Sequence, residues 1–143
     1  YPENKPYYSE EFRKNVTGSG PIWRGNFDNI NVETRCFSRI KGVGVWQRSW
    51  KFSDKEVTIS DTIEGKGRHK ILRYLHTVHP TRNCDKGVKF GPFKVSSSGK
   101  LALEATKYWK SYGKSEEAMT IIFSDVVSLP SSLSLTVSFD RAV

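Results

Sequence analysis

Three histidines are the side chains in this 143-residue sequence best suited to proton transfer near neutral pH. His76 and His79 are three residues apart, so on a β-strand they would point to opposite faces and lie about 10 Å apart. This spacing does not suit shared metal coordination. The structural interpretation is that His79 ends a strand before Pro80 and that His76 occupies one face of a sheet. The functional alternative is that one of the two contacts an active site on a neighbouring domain.

Asp61 is the carboxylate whose surroundings are least ordinary, because it falls between Ile59 and Ile63 on an apolar strand face. A buried carboxylate needs a partner. We therefore predict a structural ion pair with an arginine on a neighbouring strand, either Arg48 or Arg73. No second carboxylate is spaced to form the acid and base pair of a glycosidase.

The sequence gives little indication of a disulfide or of a metal site. Cys36 and Cys84 allow at most one disulfide, and whether they pair stays open; two unpaired thiols are the favoured interpretation. Their spacing fits no zinc pattern. Nucleotide-binding loops, nucleophile elbows and zincin motifs are also missing from the sequence. We therefore predict no catalytic residue, no metal and no cofactor.

Two segments carry residue types that bind sugars or anions. Lys107, Trp109 and Tyr112 mix aromatic faces, which suit the apolar face of a pyranose, with a positive charge. A wider sugar-stacking platform could combine Trp109 and Tyr112 with Trp23, Trp46, Trp50 and Tyr108. Lys66 and Arg68 belong to the densest basic cluster and fall at a predicted turn, where they could contact an anionic glycan or a phosphate. The alternatives are that the aromatic residues fill a core and that the basic turn is simply solvated.

The composition supports an anionic partner and excludes several protein classes. Lysine and arginine number 23 against 15 acidic residues, which gives a formal net charge of +8. Hydrophobic residues make up 36% of the chain, and no apolar run reaches the roughly 18 residues of a membrane span. An aromatic content of 13% does not fit a disordered chain. The balance of charge suggests an anionic partner without identifying it.

Alternating apolar and polar residues predict the strands that must position these side chains. No window shows a sustained helical stripe, and a single helical turn over residues 9–14 is the best candidate. A change of alternation at Val45 and Trp46 predicts either a β-bulge or a strand that is covered on both faces. We predict an all-β fold, an antiparallel β-sandwich of two stacked sheets with little helix, whose strands follow one another as a meander. Residues 1–29 form an arm or linker packed on the sheets, and residues 30–143 form one sandwich domain. The predicted strands cover residues 30–37, 43–52, 55–63, 70–78, 100–105, 119–127 and 133–139.

Several segments of this pattern resemble the C-terminal domain of heparinase II/III-like polysaccharide lyases. The resemblance begins with a strand that carries Arg48 between Trp46 and Trp50, and continues with alternating isoleucines around Asp61. It spans roughly residues 43 to 140. Its other segments are the strand that ends at His79-Pro80, the Tyr112-Gly113 pair, the Leu129-Pro130 turn and the final strand at 135–139.

The resemblance implies more than the pattern itself. Such lyases cleave uronate-containing polysaccharides by β-elimination, and a helical α/α toroid carries most of their chemistry. This sequence has no room for the toroid and does not begin with methionine, so we expect a piece of a longer bacterial protein. Several members hold a metal through the histidine of a His-Asn-Thr turn. The nearest counterpart here is Lys14-Asn15-Val16-Thr17, where lysine replaces histidine, so neither the metal nor a catalytic residue is carried over.

We therefore expect a non-catalytic β-sandwich domain of a lyase that acts on anionic glycans such as glycosaminoglycans, inactive without its toroid. Its partners would be the anionic polysaccharide and the missing toroid, with no membrane and no nucleic acid, in a periplasmic or secreted location. The first alternative is a free-standing carbohydrate-binding module for acidic polysaccharide. The second is a basic sandwich that binds proteins or nucleic acid, whose affinity would fall steeply with salt. The predicted substrate-binding residues are Trp109, Tyr112, Lys107, Lys66, Arg68 and His76.

Overall fold

The structure is a computed structural model, and it describes residues 22–139. Every regular element in this range is a β-strand, as the alternating pattern predicts. The strands are β1 (Ile22–Gly25), β2 (Asn29–Thr34), β3 (Val43–Phe52), β4 (Glu56–Gly65), β5 (Arg68–Thr77), β6 (Thr81–Cys84), β7 (Gly87–Phe90), β8 (Phe93–Ser97), β9 (Lys100–Ser111), β10 (Lys114–Ser128) and β11 (Ser131–Phe139).

The strands form two antiparallel sheets. The large sheet has eight strands in the order β1-β2-β3-β4-β11-β8-β7-β6, and the small sheet has three in the order β5-β10-β9. The predicted antiparallel β-sandwich is therefore confirmed. The chain is not a simple meander. Strand β5 follows β4 in the sequence but belongs to the small sheet, and the strand that pairs with β4 is β11.

The strand boundaries differ from the predicted ones where the alternating segment is short or where its residues are mostly polar. Four strands were not predicted: β1, β6, β7 and β8, each of four or five residues and too short for a clear period. Strands β9 and β10 extend beyond the predicted segments, because their outer parts carry polar and aromatic residues. The predicted helical turn at residues 9–14 lies outside the described residues.

Two sequence-based expectations concern the start of the domain. The predicted bulge is confirmed, since the register of β3 against β4 shifts between Val43 and Trp46. Beyond it, Trp46, Arg48 and Trp50 share the inner face of the large sheet. Strand β1 falls inside the predicted arm and pairs with β2, while the division at residue 29 stays a prediction. Among residues 22–139, no helix is long and apolar enough to cross a membrane.

The hydrophobic core lies between the small sheet and the middle strands of the large sheet. Phe123 and Ile121 of β10 are almost fully buried against β7, β8 and β11. A second cluster, beside the bulge, joins Ile63 and Leu133 of the large sheet to Ile71 of β5. Both clusters follow from strands that place one apolar residue at every second position. Neither cluster includes a residue of β1 or β2.

A buried arginine of the small sheet forms an ion pair within that sheet and hydrogen bonds to the large sheet. Arg73 of β5 is 4% exposed and donates from Nη2 to Asp125 Oδ2 of β10 at 3.0 Å. Its Nη1 donates to the backbone oxygen of Ser134 in β11 at 2.9 Å, and its Nη2 also donates to Ser97 Oγ in β8 at 2.6 Å. A charged side chain can remain in a core only when it is paired and hydrogen-bonded in this way. Arg73 therefore fixes how the small sheet lies on the large one.

Replacing Arg73 tests this role. Arg73→Met leaves the Asp125 carboxylate buried without a cation, and the free energy of unfolding should fall by about 3–5 kcal/mol. Urea denaturation followed by tryptophan fluorescence measures the loss. The double variant Arg73→Met with Asp125→Asn removes the uncompensated charge and should regain more than half of it.

The exposed pair between Lys110 and Glu116 serves as the control for this experiment. Its nitrogen and oxygen are 2.7 Å apart, but both side chains are solvated, so Lys110→Met should not change the urea midpoint measurably. A similarly small effect of Arg73→Met would contradict the proposed role of the buried pair.

Candidate functional site

The hairpin of β9 and β10 projects beyond the rest of the small sheet. Strand β5 pairs with β10 only from Met119 to Ser128, so the outer part of the hairpin is a two-stranded ribbon. Trp109 is 59% exposed, and Tyr112 is fully exposed in the turn. Together with Lys107 these residues form a surface that we call the hairpin tip. The structure thus brings three of the predicted site residues together on one hairpin and leaves their side chains outside the core.

The charges around the hairpin tip nearly cancel. Lys110 and Glu116 form an ion pair. The hydrogen bond to Glu116 is the main cause that raises the pKa of Lys110, and the negative charge of Glu116 raises it further. Lys110 therefore stays protonated to higher pH, but its charge is compensated. Lys107 lies directly across the ribbon from Glu117. The hairpin tip consequently suits stacking against a sugar ring better than it suits the capture of an anion.

A second candidate surface forms where two turns meet at the other end of β10. The backbone N–H of Lys66 donates to the carbonyl of Gly42 at 2.8 Å. Gly65 has a φ of +138°, and a Cβ at this position would overlap the carbonyl oxygen of Gly42. Glycine therefore permits the close approach of the two turns. His69 stabilises the second of these turns, because its Nε2 lies 3.0 Å from the carbonyl oxygen of Lys66.

The meeting of these turns concentrates positive charge. The hydrogen bond between Lys66 and Gly42 places Lys41 beside Lys66 and Arg68, and all three side chains are exposed. We call these three residues the basic end. Glu64 is the exposed acidic residue next to the turn. The sequence indicated Lys66 and Arg68 but not Lys41, because only the contact between the turns brings Lys41 to them. Further exposed cations on the same two turns and the start of β5 are Arg35, Arg39 and Lys70.

The predicted site residues do not form one site. Arg68 is paired with Ser128 at one end of β10, whereas Ser115 lies next to the hairpin tip. Thirteen residues of extended chain separate these positions, which corresponds to roughly 40 Å. His76 lies between the two surfaces on β5, where its Nδ1 is 2.9 Å from Thr120 Oγ1. The hairpin tip and the basic end are therefore separate surfaces.

The partner of Asp61 is Arg48, one of the two arginines that the sequence predicted. Asp61 is 1% exposed and accepts hydrogen bonds from Arg48 Nε at 2.7 Å and Arg48 Nη2 at 2.9 Å. Trp46 Nε1 donates to the same carboxylate at 2.8 Å. The predicted structural ion pair is thus confirmed, with Arg48 chosen over Arg73. Three hydrogen bonds satisfy the carboxylate and hold Trp46 and Arg48 in fixed orientations.

A groove of about 360 Å³ runs beside this network, between β5 and the inner face of β2 and β3. We call it the overhang groove, because here the large sheet extends past the small one. Its lining includes Val32, Trp46 and Trp50 from the large sheet and Leu72 and Tyr74 from β5. Sequence reasoning considered the tryptophans as a sugar platform or as core. It missed the groove, because its shape depends on the different widths of the two sheets.

The part of the chain that the structure describes has no site arranged for metal binding or for thiol chemistry. Residues 22–139 contain no group of three or more His, Cys, Asp or Glu side chains placed to hold a metal ion. Cys36 and Cys84 are both free and half-buried.

Comparison with known proteins identifies the fold. No protein-family model and no curated protein matches the sequence. Among solved structures, a heparinase III, the BT4657 gene product, matches with a TM-score of 0.59 and 14% identity over 82% of this chain and 20% of that one. The heparan sulfate lyase HepC from Pedobacter heparinus matches with a TM-score of 0.59 and 13% identity over 86% and 22%. The chain therefore resembles a domain of these lyases and spans about a fifth of their length.

Substitution of Asp61 tests the network at the edge of the groove. Asp61→Asn keeps the size of the side chain but replaces one acceptor oxygen with a donor that faces Arg48. The free energy of unfolding should fall by about 1.5–3 kcal/mol, the range for a lost hydrogen bond to a charged group. Urea denaturation measures this, and Asp85→Asn, at an exposed position, is the matched control. Equal stability of the two variants would contradict the network.

Proposed function

We propose that this chain is the β-sandwich domain of a larger polysaccharide lyase of the heparinase II/III type and that it binds an anionic, uronate-containing glycan without catalysing its cleavage. The observation that carries the proposal is the similarity of fold to two lyases named for heparin and heparan sulfate, over most of this chain but about a fifth of theirs. A catalytic toroid domain of the parent protein would be the second partner.

The basic end is the surface that best supports contact with an anionic glycan. Lys41, Lys66 and Arg68 present three positive charges from two turns held together by a backbone hydrogen bond. Sulfate and carboxylate groups of a glycosaminoglycan are spaced along a flexible polyanion, so clustered exposed cations gain most from binding it. The net charge of +8 would add long-range attraction.

The hairpin tip supports a second contact of a different kind. Trp109 and Tyr112 are exposed although they are large aromatic residues, and two neighbouring lysines, Lys107 and Lys110, are matched by glutamates. Such a surface would stack on sugar rings with little dependence on salt. Binding through this surface alone would favour the second candidate function, a free-standing carbohydrate-binding module. His76, hydrogen-bonded to Thr120 and exposed, is assigned a lesser contact with the same glycan.

Heparin binding by charge-removal variants tests the basic end. The triple variant Lys41→Ala, Lys66→Ala, Arg68→Ala should bind heparin at least about tenfold more weakly, with a shallower dependence of affinity on salt. Isothermal titration calorimetry at several salt concentrations measures both quantities.

The matched control removes three exposed cations from other parts of the structure: Lys51→Ala, Lys55→Ala and Arg82→Ala. It should lose less than about threefold in affinity, because long-range attraction to the remaining charges survives. An equal loss in both triple variants would mean that heparin responds to net charge alone, and an undetectable affinity of the wild-type chain would overturn the proposal. A third variant, Trp109→Ala with Tyr112→Ala, measures stacking; if it alone abolishes binding, the carbohydrate-binding module is favoured.

The isolated chain should have no lyase activity. A β-elimination needs a base and an acid aligned on one sugar residue, and the predicted site residues lie on surfaces roughly 40 Å apart. Incubation with heparan sulfate, followed by the absorbance of unsaturated uronate, should give the signal of buffer alone, whereas an active heparinase III serves as the positive control. Sustained growth of the absorbance with time would contradict the non-catalytic role.

A further inference from the structure

Strand β5 forms an open edge of the small sheet. Among residues 22–139 it pairs with β10 alone, since the sheet order is β5-β10-β9. The backbone N–H and C=O groups on its other side therefore have no strand partner within the described part of the chain. An edge strand of this kind is a template for pairing with another extended peptide.

The large sheet continues past this edge and offers an apolar floor. Strands β1, β2 and the end of β3 extend beyond both core clusters. Trp23 is 64% exposed there and lies parallel to Trp50, with 6.2 Å between the ring centroids. Val32 of β2 lies on the same face, because it pairs with Trp23 on one side and with Arg48 on the other. Trp23 is exposed and Val32 and Trp50 are half-buried, so they leave a contiguous apolar surface of the kind that marks an interaction site.

The charges that border the overhang groove are already paired. Arg48 binds Asp61 through two nitrogens, and Arg73 binds Asp125. An anionic ligand would therefore gain little net attraction here, in contrast to the basic end. The groove instead combines an apolar floor with the edge of β5 at Leu72 and Tyr74, which has no strand partner among residues 22–139. This combination matches β-strand addition, in which backbone hydrogen bonds give affinity and alternate side chains give specificity.

We propose that the overhang groove binds a β-strand of a partner polypeptide, which pairs with β5 and covers the floor formed by Trp23, Val32 and Trp50. The strand would carry uncharged, apolar residues at every second position, because stacked sheets lie about 10 Å apart and only one face of the added strand meets the floor. It would become the fourth strand of the small sheet.

The shape of the groove favours a single strand over a second copy of this chain. In a dimer formed through two β5 edges, each copy would bring its own β1 and β2 into the space that the other copy's overhang occupies. A segment one strand wide fits without this collision. Because the chain spans about a fifth of the lyases that it resembles, further polypeptide of a longer parent is the natural source of such a strand. The inference does not depend on glycan binding.

Backbone amide exchange with a defined peptide tests the proposal on the full 143-residue chain. The probe is a capped peptide of eight alternating threonine and valine residues flanked by lysines, so that attraction to the basic protein plays no part. At saturation, exchange of the amides in β5 should slow by at least about tenfold, whereas β9, the opposite edge of the same sheet, should not change. The same peptide with all its amides N-methylated should have no effect.

Two variants separate the groove from the rest of the surface. Val32→Lys places a charge on the floor and should weaken peptide binding by at least about fivefold. Asn31→Lys, the neighbouring position on the outer face of the same strand, should leave it unchanged.

Four results would overturn the proposal: unchanged exchange in β5, equal slowing in β9, protection of β5 by a heparin tetrasaccharide and not by the peptide, or concentration-dependent protection that accompanies dimer formation. Loss of heparin binding at the basic end would bear only on the proposed glycan function, so the two proposals fail separately.

Discussion

Arg73 determines how the two sheets lie on each other, and the exposed surfaces depend on that placement. Its guanidinium binds Asp125 within the small sheet and the backbone oxygen of Ser134 and the hydroxyl of Ser97 in the large sheet. These directional bonds place β5 and β10 over β11 and β8, where the apolar core lies. Among residues 22–139 the small sheet has three strands, so within this range the alignment leaves β1 and β2 uncovered. The overhang groove is a consequence of that mismatch.

The length of β10 separates two kinds of surface. At one end its ribbon carries Trp109 and Tyr112 away from the core, with charges that nearly cancel. At the other end it approaches Lys66 and Arg68, whose cluster is completed by Lys41 through a contact between glycine-containing turns. The two ends therefore offer different physical interactions: ring stacking at the first and charge attraction at the second.

Much of the fold could be predicted from alternation alone, because an antiparallel strand with one buried face repeats every two residues. The same pattern predicted the bulge near Trp46, and the isolated carboxylate of Asp61 predicted an arginine partner, which is Arg48. The short strands β6 to β8 could not be predicted, since four or five residues do not define a period. Lys41 and the overhang groove were missed because they depend on contacts between turns and on the widths of two sheets.

Chemical-shift mapping with a heparin tetrasaccharide would show whether an anionic glycan binds the basic end. If it does, backbone amide shifts in the two turns around Lys41 and Lys66 should change in a saturable way, while the amides along the overhang groove at Val32 and Trp50 should not. Shift changes confined to the groove, or spread evenly over all exposed lysines, would contradict binding at the basic end.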